Sequence, residues 1–390
     1  MMKKLFAMTV IAVLAFMAAA WAQDEPSMSI EEVIGKVKKG VIRVQGIELG
    51  APTIGNWGGG SGFVFEVDYD THTAYAITNH HVSGNAAASA VTFWDGATYK
   101  ARHVATEPGI DVCLLEIYDI PDERDLPEDE KTIVPVVLGD SDAVRIGELG
   151  LAMGNPGDGQ DAVNIDRSNP YETFLLLTTA TQGVVTGRDW PIEFLLGINR
   201  QNRGSLGNQY GTNFDYAFRM ATAINGGNSG GPLFNQKGEV IGINFYGGSW
   251  ALGQNQNHAI PINLAKDFVF QILEKGKFEK PWLGMDIIFP SWIGPDEYTE
   301  FAEKYRPDYV EVYGVRRDSP AARAGLRQGD IIMSVDGQNF ADPEKLRLYV
   351  FSQEIGNELE ITIKRNGKIM KDPIFVEISP KRTYDAEFSV

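Results

Sequence analysis

The stretch Ala223-Ile224-Asn225-Gly226-Gly227-Asn228-Ser229-Gly230-Gly231-Pro232-Leu233 sets one serine among four glycines, with proline and an apolar strand start directly behind. Glycine at that density lets the backbone take angles closed to other residues and come close to a ligand. A serine on such a turn presents its hydroxyl while backbone N–H groups of the same turn converge on one spot. That is the layout of a nucleophile beside an oxyanion site. The same glycines also suit a loop that merely turns. The choice depends on a base and an acid to orient it.

Five histidines stand at positions 72, 80, 81, 103 and 258. His80 and His81 follow Thr78-Asn79 at a strand end, where an imidazole can reach into a cleft. Asp111 stands just ahead of the apolar run Val112-Cys113-Leu114-Leu115, where a buried carboxylate can hold a histidine N–H and fix its tautomer. The chain order is His, Asp, Ser, with separations of 30 and 118 residues. That is the order of the chymotrypsin arrangement, not of subtilisins or α/β-hydrolases. The latter also require a helix after the serine, and here Gly-Gly-Pro and a strand follow it.

The elements that must position these residues are short strands. Ser29 caps a helix with Glu31 and Glu32 in its first turn, and Gly40 ends it. Strands are expected at 41–44, 60–67, 74–79, 90–94, 97–104, 112–117, 132–138, 149–153, 178–186, 239–245 and 258–261, with an amphipathic helix over 263–275. The charged run 122–131 reads as a solvated surface loop. The polar stretches 157–169 and 199–213 are long for passive connections. Near Lys280-Pro281 the character changes to a second α+β unit of about 100 residues, with helix-like 297–305, a helix at 343–353 and strands at 358–364 and 373–378.

The 390 residues exceed one small core and predict several domains. A formal charge of −17 argues against a nucleic-acid partner, which needs clustered Lys and Arg. Lys3 and Lys4 precede an uncharged run over residues 5–22, and Ala20-Trp21-Ala22 fits cleavage of a signal peptide before Gln23. The run is at the lower edge of spanning length, so an uncleaved anchor is the competing reading. The single Cys113 excludes an internal disulfide and reads as a buried, inert thiol. An exported chain without disulfides fits a bacterial envelope. No metal-ligand spacing appears, and no cofactor is expected.

On these residues the chain resembles the HtrA (Deg) family of envelope serine proteases. The matching pieces are Gly60-Ser61-Gly62-Phe63, Thr78-Asn79-His80-His81-Val82, Asp111-Val112-Cys113-Leu114-Leu115, Gly154-Asn155-Pro156, Gln182-Gly183-Val184-Val185-Thr186, the serine stretch and Ala259-Ile260-Pro261. Further on, Trp282-Leu283-Gly284-Met285, Ser319-Pro320-Ala321-Ala322-Arg323-Ala324-Gly325-Leu326, Gly329-Asp330-Ile331-Ile332 and Val335-Asp336-Gly337 are similar to a PDZ domain of that family.

The resemblance implies a mainly β fold: a chymotrypsin-like double β-barrel protease domain followed by a smaller α+β PDZ domain. The expected division is 1–22 signal peptide, 23–278 protease, 279–380 PDZ and 381–390 tail. It implies His81, not His80, as base, Asp111 as orienting acid and Ser229 as nucleophile. Gly227, Asn228 and Ser229 would form the oxyanion hole, Gly227 and Ser229 donating N–H groups and Asn228 helping to shape the loop. Ala223, Ile224 and Asn225 would line the substrate pocket, and the absence of an acid there predicts cleavage after Val, Ala or Ile. Leu283, Gly284 and Met285 would bind a peptide carboxylate. Unfolded or misfolded proteins, C-terminal peptides and a homotrimer are the implied partners. The chain departs from the family in lacking an aspartate over Met220–Ala223 and in carrying Gly226 where proline is frequent. Two rivals are an inactive protease fold acting as a chaperone or scaffold and an ordinary secreted digestive protease.

Overall fold

The computed structural model describes residues 28–47, 59–84, 86–108, 110–155, 178–191, 216–246, 257–287, 310–341 and 343–380. The expected signal segment, the loops 157–169 and 199–213, the helix-like 297–305 and the tail 381–390 lie outside them. The chain forms two compact units, 1–189 with 216–266 and 190–215 with 267–390.

The first unit begins with helix α1 (Ile30–Val37). Ser29 Oγ accepts the Glu32 N–H at 3.2 Å, while the Glu32 carboxylate accepts the Ser29 N–H at 2.8 Å. This reciprocal cap satisfies two of the helix's orphan donors, and losing such a cap costs about 1 kcal/mol. Val33 and Val37 are its buried side.

Six strands then close a barrel in the order β1-β2-β3-β6-β5-β4. They are β1 (Val41–Ile47), β2 (Gly60–Asp68), β3 (Thr73–Thr78), β4 (Ala88–Thr92), β5 (Thr98–Glu107) and β6 (Val112–Tyr118). Ile42, Val44, Val64, Val91, Phe93, Leu115 and Ile117 fill its interior, with Ala74, Ala76 and Ala101 in the gaps. Each large side chain so buried contributes about 1.5–3 kcal/mol. Closure leaves no sheet edge.

The run expected as a strand over 132–138 is one only at β7 (Val137–Leu138). The Thr132 and Ile133 N–H groups go to the buried Glu123 carboxylate, and Pro135 has no N–H to give. Glu123 is thus the buried exception in an otherwise exposed charged loop. Lys39, itself buried, donates to the carbonyls of Glu128, Asp129 and Lys131 at 3.0, 2.6 and 2.7 Å and fastens that loop's far end.

The second barrel comprises β8 (Leu149–Gly154), β9 (Thr179–Pro191), β10 (Tyr216–Met220), β11 (Pro232–Phe234), β12 (Glu239–Tyr246) and β13 (Asn257–Pro261), ordered β11-β8-β9-β10-β13-β12 and closed by β11 pairing β12. β7 lies parallel against β12. Strand β10 is an element the sequence pattern did not single out. Phe218, Met220, Leu233, Ile241 and Ala259 form this core. Helix α2 (Ile262–Lys275) follows, and Gly276 ends it at φ +68°.

The second unit has β14 (Pro281–Trp282), β15 (Met285–Ile287), β16 (Val310–Val315), α3 (Pro320–Ala324), β17 (Ile331–Val335), α4 (Pro343–Phe351), β18 (Glu358–Arg365), β19 (Lys368–Ile369), β20 (Ile374–Glu377) and β21 (Ser379–Pro380). Its sheet runs β15-β16-β17-β18-β19, with β20 also on β18. Among the described residues β15 pairs only with β16, so its other side is an open edge. Asp330, 1% exposed, receives two bonds of 2.7 Å from the Arg365 guanidinium, which also donates to the Gly325 carbonyl. The fork-on-fork geometry satisfies a carboxylate that burial would otherwise penalise.

Candidate active site

Asp111 sits in the tight turn before β6 at φ +54°, a left-handed angle that aspartate tolerates better than most residues. The turn aims its buried carboxylate at the end of β3. Oδ1 accepts the His81 backbone N–H at 2.8 Å and Oδ2 meets His81 Nδ1 at 2.6 Å. The Asp111 carbonyl takes the His80 N–H at 3.1 Å and the Asn79 side-chain amide at 2.8 Å. An ionised carboxylate only accepts, so Nδ1 carries the hydrogen and Nε2 of the neutral ring is left bare. That is the tautomer a general base needs.

The two adjacent histidines have different partners. His80 is buried, and its Nδ1 lies 2.7 Å from Thr106 Oγ1, whose proton goes to the Val112 carbonyl. His103 bonds Ser83 at 2.7 Å. Burial pushes both His80 and His103 below the ordinary histidine value.

The serine lies on two consecutive tight turns, closed by Asn228 N–H to the Asn225 carbonyl and Gly231 N–H to the Asn228 carbonyl, each at 3.0 Å. Gly227 and Gly230 hold φ of +93° and +84° there. The Gly230 N–H goes to the Asn244 carbonyl. Among the described residues, the N–H groups of Gly227 and Ser229 donate to nothing, which leaves them for a ligand. The Asn228 N–H is committed to the turn, and its side chain is 1% exposed with neither amide atom bonded among the described residues. It is no donor to the oxyanion position. Ser229 Oγ donates to the Phe245 carbonyl at 3.2 Å, and the Phe245 ring meets His81 edge-on at 6.3 Å. Phe245 therefore borders both residues.

Before the turn, Ala223 and Asn225 are exposed, but Ile224 is buried in the barrel core with Met220 and Leu233. Ile224 anchors the segment instead of facing outward. Thr181 Oγ1 holds the Ala223 carbonyl at 2.6 Å, and the Ala221 N–H bonds the Val184 carbonyl.

In the second unit, the Leu283 carbonyl accepts the Ala321 N–H and the Gly284 carbonyl accepts the Arg316 N–H, each at 2.8 Å. In a trans peptide the next N–H points opposite to the carbonyl, so the Gly284 and Met285 N–H groups face away from those partners. Gly284 has φ +75°, and a Cβ there would lie 2.1 Å from Ser319 Cβ. Leu283 is buried and Met285 half-buried.

Residues 60–243 match the trypsin-like peptidase domain and residues 299–371 match the PDZ domain. The chain is 31% identical over 332 residues to the serine protease Do-like HtrA of Bacillus subtilis, covering 84% of this chain and 65% of that one. Over most of its length the chain is thus similar to an HtrA-type serine protease. It is also 29% identical over 337 residues to the periplasmic serine endoprotease DegP of Escherichia coli, covering 84% of this chain and 58% of that protein. The chain thus spans roughly three fifths of the length of the curated relatives it matches. Among solved structures it is similar to the HtrA-type protease AlgW with tripeptide, at TM-score 0.64 and 26% identity, covering 92% of this chain and 99% of that one.

Electrostatics of the site divide its groups. Burial pushes His81 down, but the Asp111 charge and its hydrogen bond together outweigh that and raise the imidazole above the ordinary 6.5. A base must be neutral, so kcat/KM should fall as pH drops through a value above 6.5. The pair's contribution to stability has the opposite sign. It is full below the unfolded value and fades as pH rises through the folded one. A pH–rate profile beside pH-dependent unfolding checks both limbs, and an acid limb below 6.5 would contradict the pairing. Cys113, fully buried, has its thiol pushed up to about 12, which makes it unreactive. Among the described residues no cluster of His, Cys, Asp and Glu could hold a metal, and no helix is long and apolar enough to cross a membrane.

In the sequence Ser61 and Asn155 stand out only as pieces of motifs, and Phe245, Asn244 and Thr106 do not stand out at all. Asn244 donates from its side chain to the Met153 and Pro232 carbonyls at 3.0 and 3.1 Å, tying β12 to β8 and β11 behind the serine. An asparagine inside the apolar run Val240–Phe245 was the available signal.

Proposed function

We propose that this chain is an exported, ATP-independent serine endopeptidase that cuts unfolded or misfolded envelope proteins and captures C-terminal peptides on its PDZ domain. The carrying observation is the doubly held Asp111–His81 pair, with the bare Nε2 it implies, in the same unit as Ser229 on a turn with two uncommitted N–H groups. Ser229 Oγ attacks the peptide carbonyl as His81 Nε2 takes its proton. The Gly227 and Ser229 N–H groups hold the resulting oxyanion. His81 returns the proton to the departing amine, and water then releases the acyl group by the same route. Exposed Ala223 and Asn225, with no acid in the adjoining sequence 220–228, suit small or medium apolar residues such as Val, Ala or Ile before the cut.

In the PDZ domain the Gly284 and Met285 N–H groups serve a terminal carboxylate, Leu283 shapes the loop, and the open edge of β15 accepts the peptide as an added strand. The solved structures of AlgW with tripeptide and with decapeptide accord with this. The working domains are 23–278 and 279–380. The proposed location is the bacterial periplasm, as in the name of the DegP relative, with the working unit a homotrimer.

A second reading, a proteolytically silent chaperone or scaffold, draws on one observation: Ser229 Oγ bonds the Phe245 carbonyl, not the imidazole. Labelling the full chain with a fluorophosphonate and mapping its cuts in an unfolded protein separates the two. The endopeptidase reading expects a label on Ser229 and cuts after apolar residues. No label and no cuts would leave the scaffold; cuts after Lys or Arg would overturn the pocket assignment.

A further inference from the structure

The geometry points to Ser61 as a positioning residue for the oxyanion turn, an inference that rests on the peptidase reading above. Ser61 lies on β2 of the first barrel and is wholly buried. Its hydroxyl donates to the Gly227 carbonyl at 2.7 Å and accepts the Asn155 N–H, also at 2.7 Å. Its own N–H donates to the Ser229 carbonyl at 2.8 Å.

Direction matters here. A hydroxyl has one proton, and the Asn155 N–H occupies an acceptor position, so that proton goes to Gly227. Peptide units are planar, and holding the Gly227 carbonyl fixes the whole Gly227–Asn228 plane. Gly227, lacking a side chain, has no steric preference of its own to keep that plane in place. One residue of the first barrel therefore fixes the two peptide planes that directly follow the Gly227 and Ser229 N–H groups, Gly227–Asn228 and Ser229–Gly230, and so limits the torsions through which those N–H groups are aimed. The turn's own buried side chain, Asn228, bonds nothing among the described residues, so it does not share this work.

The surroundings are built closely around the hydroxyl. A Cβ on Gly154 would lie 2.8 Å from Ser61 Oγ, and one on Gly231 would lie 3.0 Å from Ser61 Cβ. Deleting the hydroxyl would leave a carbonyl and an N–H facing each other without a mediator in a space with little room for a substitute.

The test is Ser61→Ala in the full chain, with steady-state cleavage of an unfolded protein and inhibition by an apolar peptide aldehyde, whose hemiacetal oxygen sits at the oxyanion position. The expected result is a fall in kcat of about 10- to 100-fold, somewhat less than loss of a direct donor. KM should stay within about threefold while the aldehyde weakens by the same factor as kcat. A purely structural role would lower the melting temperature and the active fraction without changing aldehyde affinity. Unchanged kcat, or lost kcat with unchanged aldehyde affinity, overturns the inference. Should Ser61→Ala fail to fold, the near-isosteric Ser61→Cys, a weak donor, takes its place: kcat and aldehyde affinity falling together support the inference, and either one unchanged overturns it. Wild-type turnover is the separate check. A wild-type chain that cuts nothing removes the peptidase reading, whereas Ser61→Ala at wild-type rate removes only this inference.

Discussion

Replacing Asp111 by asparagine should lower kcat by about 10⁴-fold while the domain stays folded. The size follows from counting donors. Both carboxylate oxygens accept hydrogens from His81, one from the backbone N–H and one from Nδ1. An asparagine has one acceptor oxygen and one NH₂ group for these two places. The backbone N–H cannot give up its hydrogen, so the oxygen must face it, and the NH₂ then faces Nδ1. Nδ1 is forced to accept, the ring hydrogen moves to Nε2, and the base is lost. A second signature accompanies the first. Without the Asp111 charge, burial alone acts on His81, so its value drops and the acid limb of kcat/KM moves to lower pH. Cleavage of an unfolded protein across pH measures both. A variant keeping more than a tenth of wild-type kcat, or an acid limb that does not move, would remove Asp111 from the orienting role.

How far the sequence reached can be judged from the same residues. The order His81, Asp111, Ser229 pointed to the reaction class, because few arrangements share it and because an apolar strand behind Asp111 promises burial. Alternation found most strands of both barrels, since one face of each is core. It failed where side chains took over backbone bonding. The apolar run 132–138 looked like a strand, yet Glu123 had claimed its first N–H groups. Ile224 was expected beside the substrate, but a lone apolar residue between exposed Ala223 and Asn225 is drawn into the core. Asn228 was expected to shape the oxyanion loop, and only the structure shows that its N–H closes the turn to Asn225. The Ser61 contacts with the serine turn, across more than 160 residues of chain, have no local pattern at all. Periodicity reports what a residue does within its own element. Contacts made through backbone carbonyls of a distant turn leave no trace in it.

The serine turn abuts the first barrel at Gly230, and Gly230→Ala should be among the most damaging single methyls in the first unit. At φ +84° any side chain is strained, by about 1–2 kcal/mol for the left-handed angle alone. The added Cβ would also stand 2.2 Å from the Ser61 carbonyl oxygen and 2.4 Å from Thr78 Oγ1. Thr78 Oγ1 bonds that same carbonyl at 2.7 Å, so the obstacle is a braced corner of β2 and β3 and not a free side-chain tip. Relief requires the turn to retreat, which breaks the Gly230 N–H bond to Asn244 and the Ser61 N–H bond to Ser229 together. The expected destabilisation is about 3 kcal/mol or more, a fall in melting temperature of roughly 6–12 °C for a unit of this size. Cleavage should be lost even below the new melting point, because Ser229 moves with the turn. Gly226→Ala is the matched comparison. Gly226 has nothing within 4 Å of an added Cβ and no positive φ, so its melting temperature should stay near wild type. Equal thermal stability of the two variants would mean that the first barrel does not brace the serine turn. A selective loss at Gly230 would place the constraint on that one contact and not on glycine content, since the two positions lie only four residues apart on the same loop.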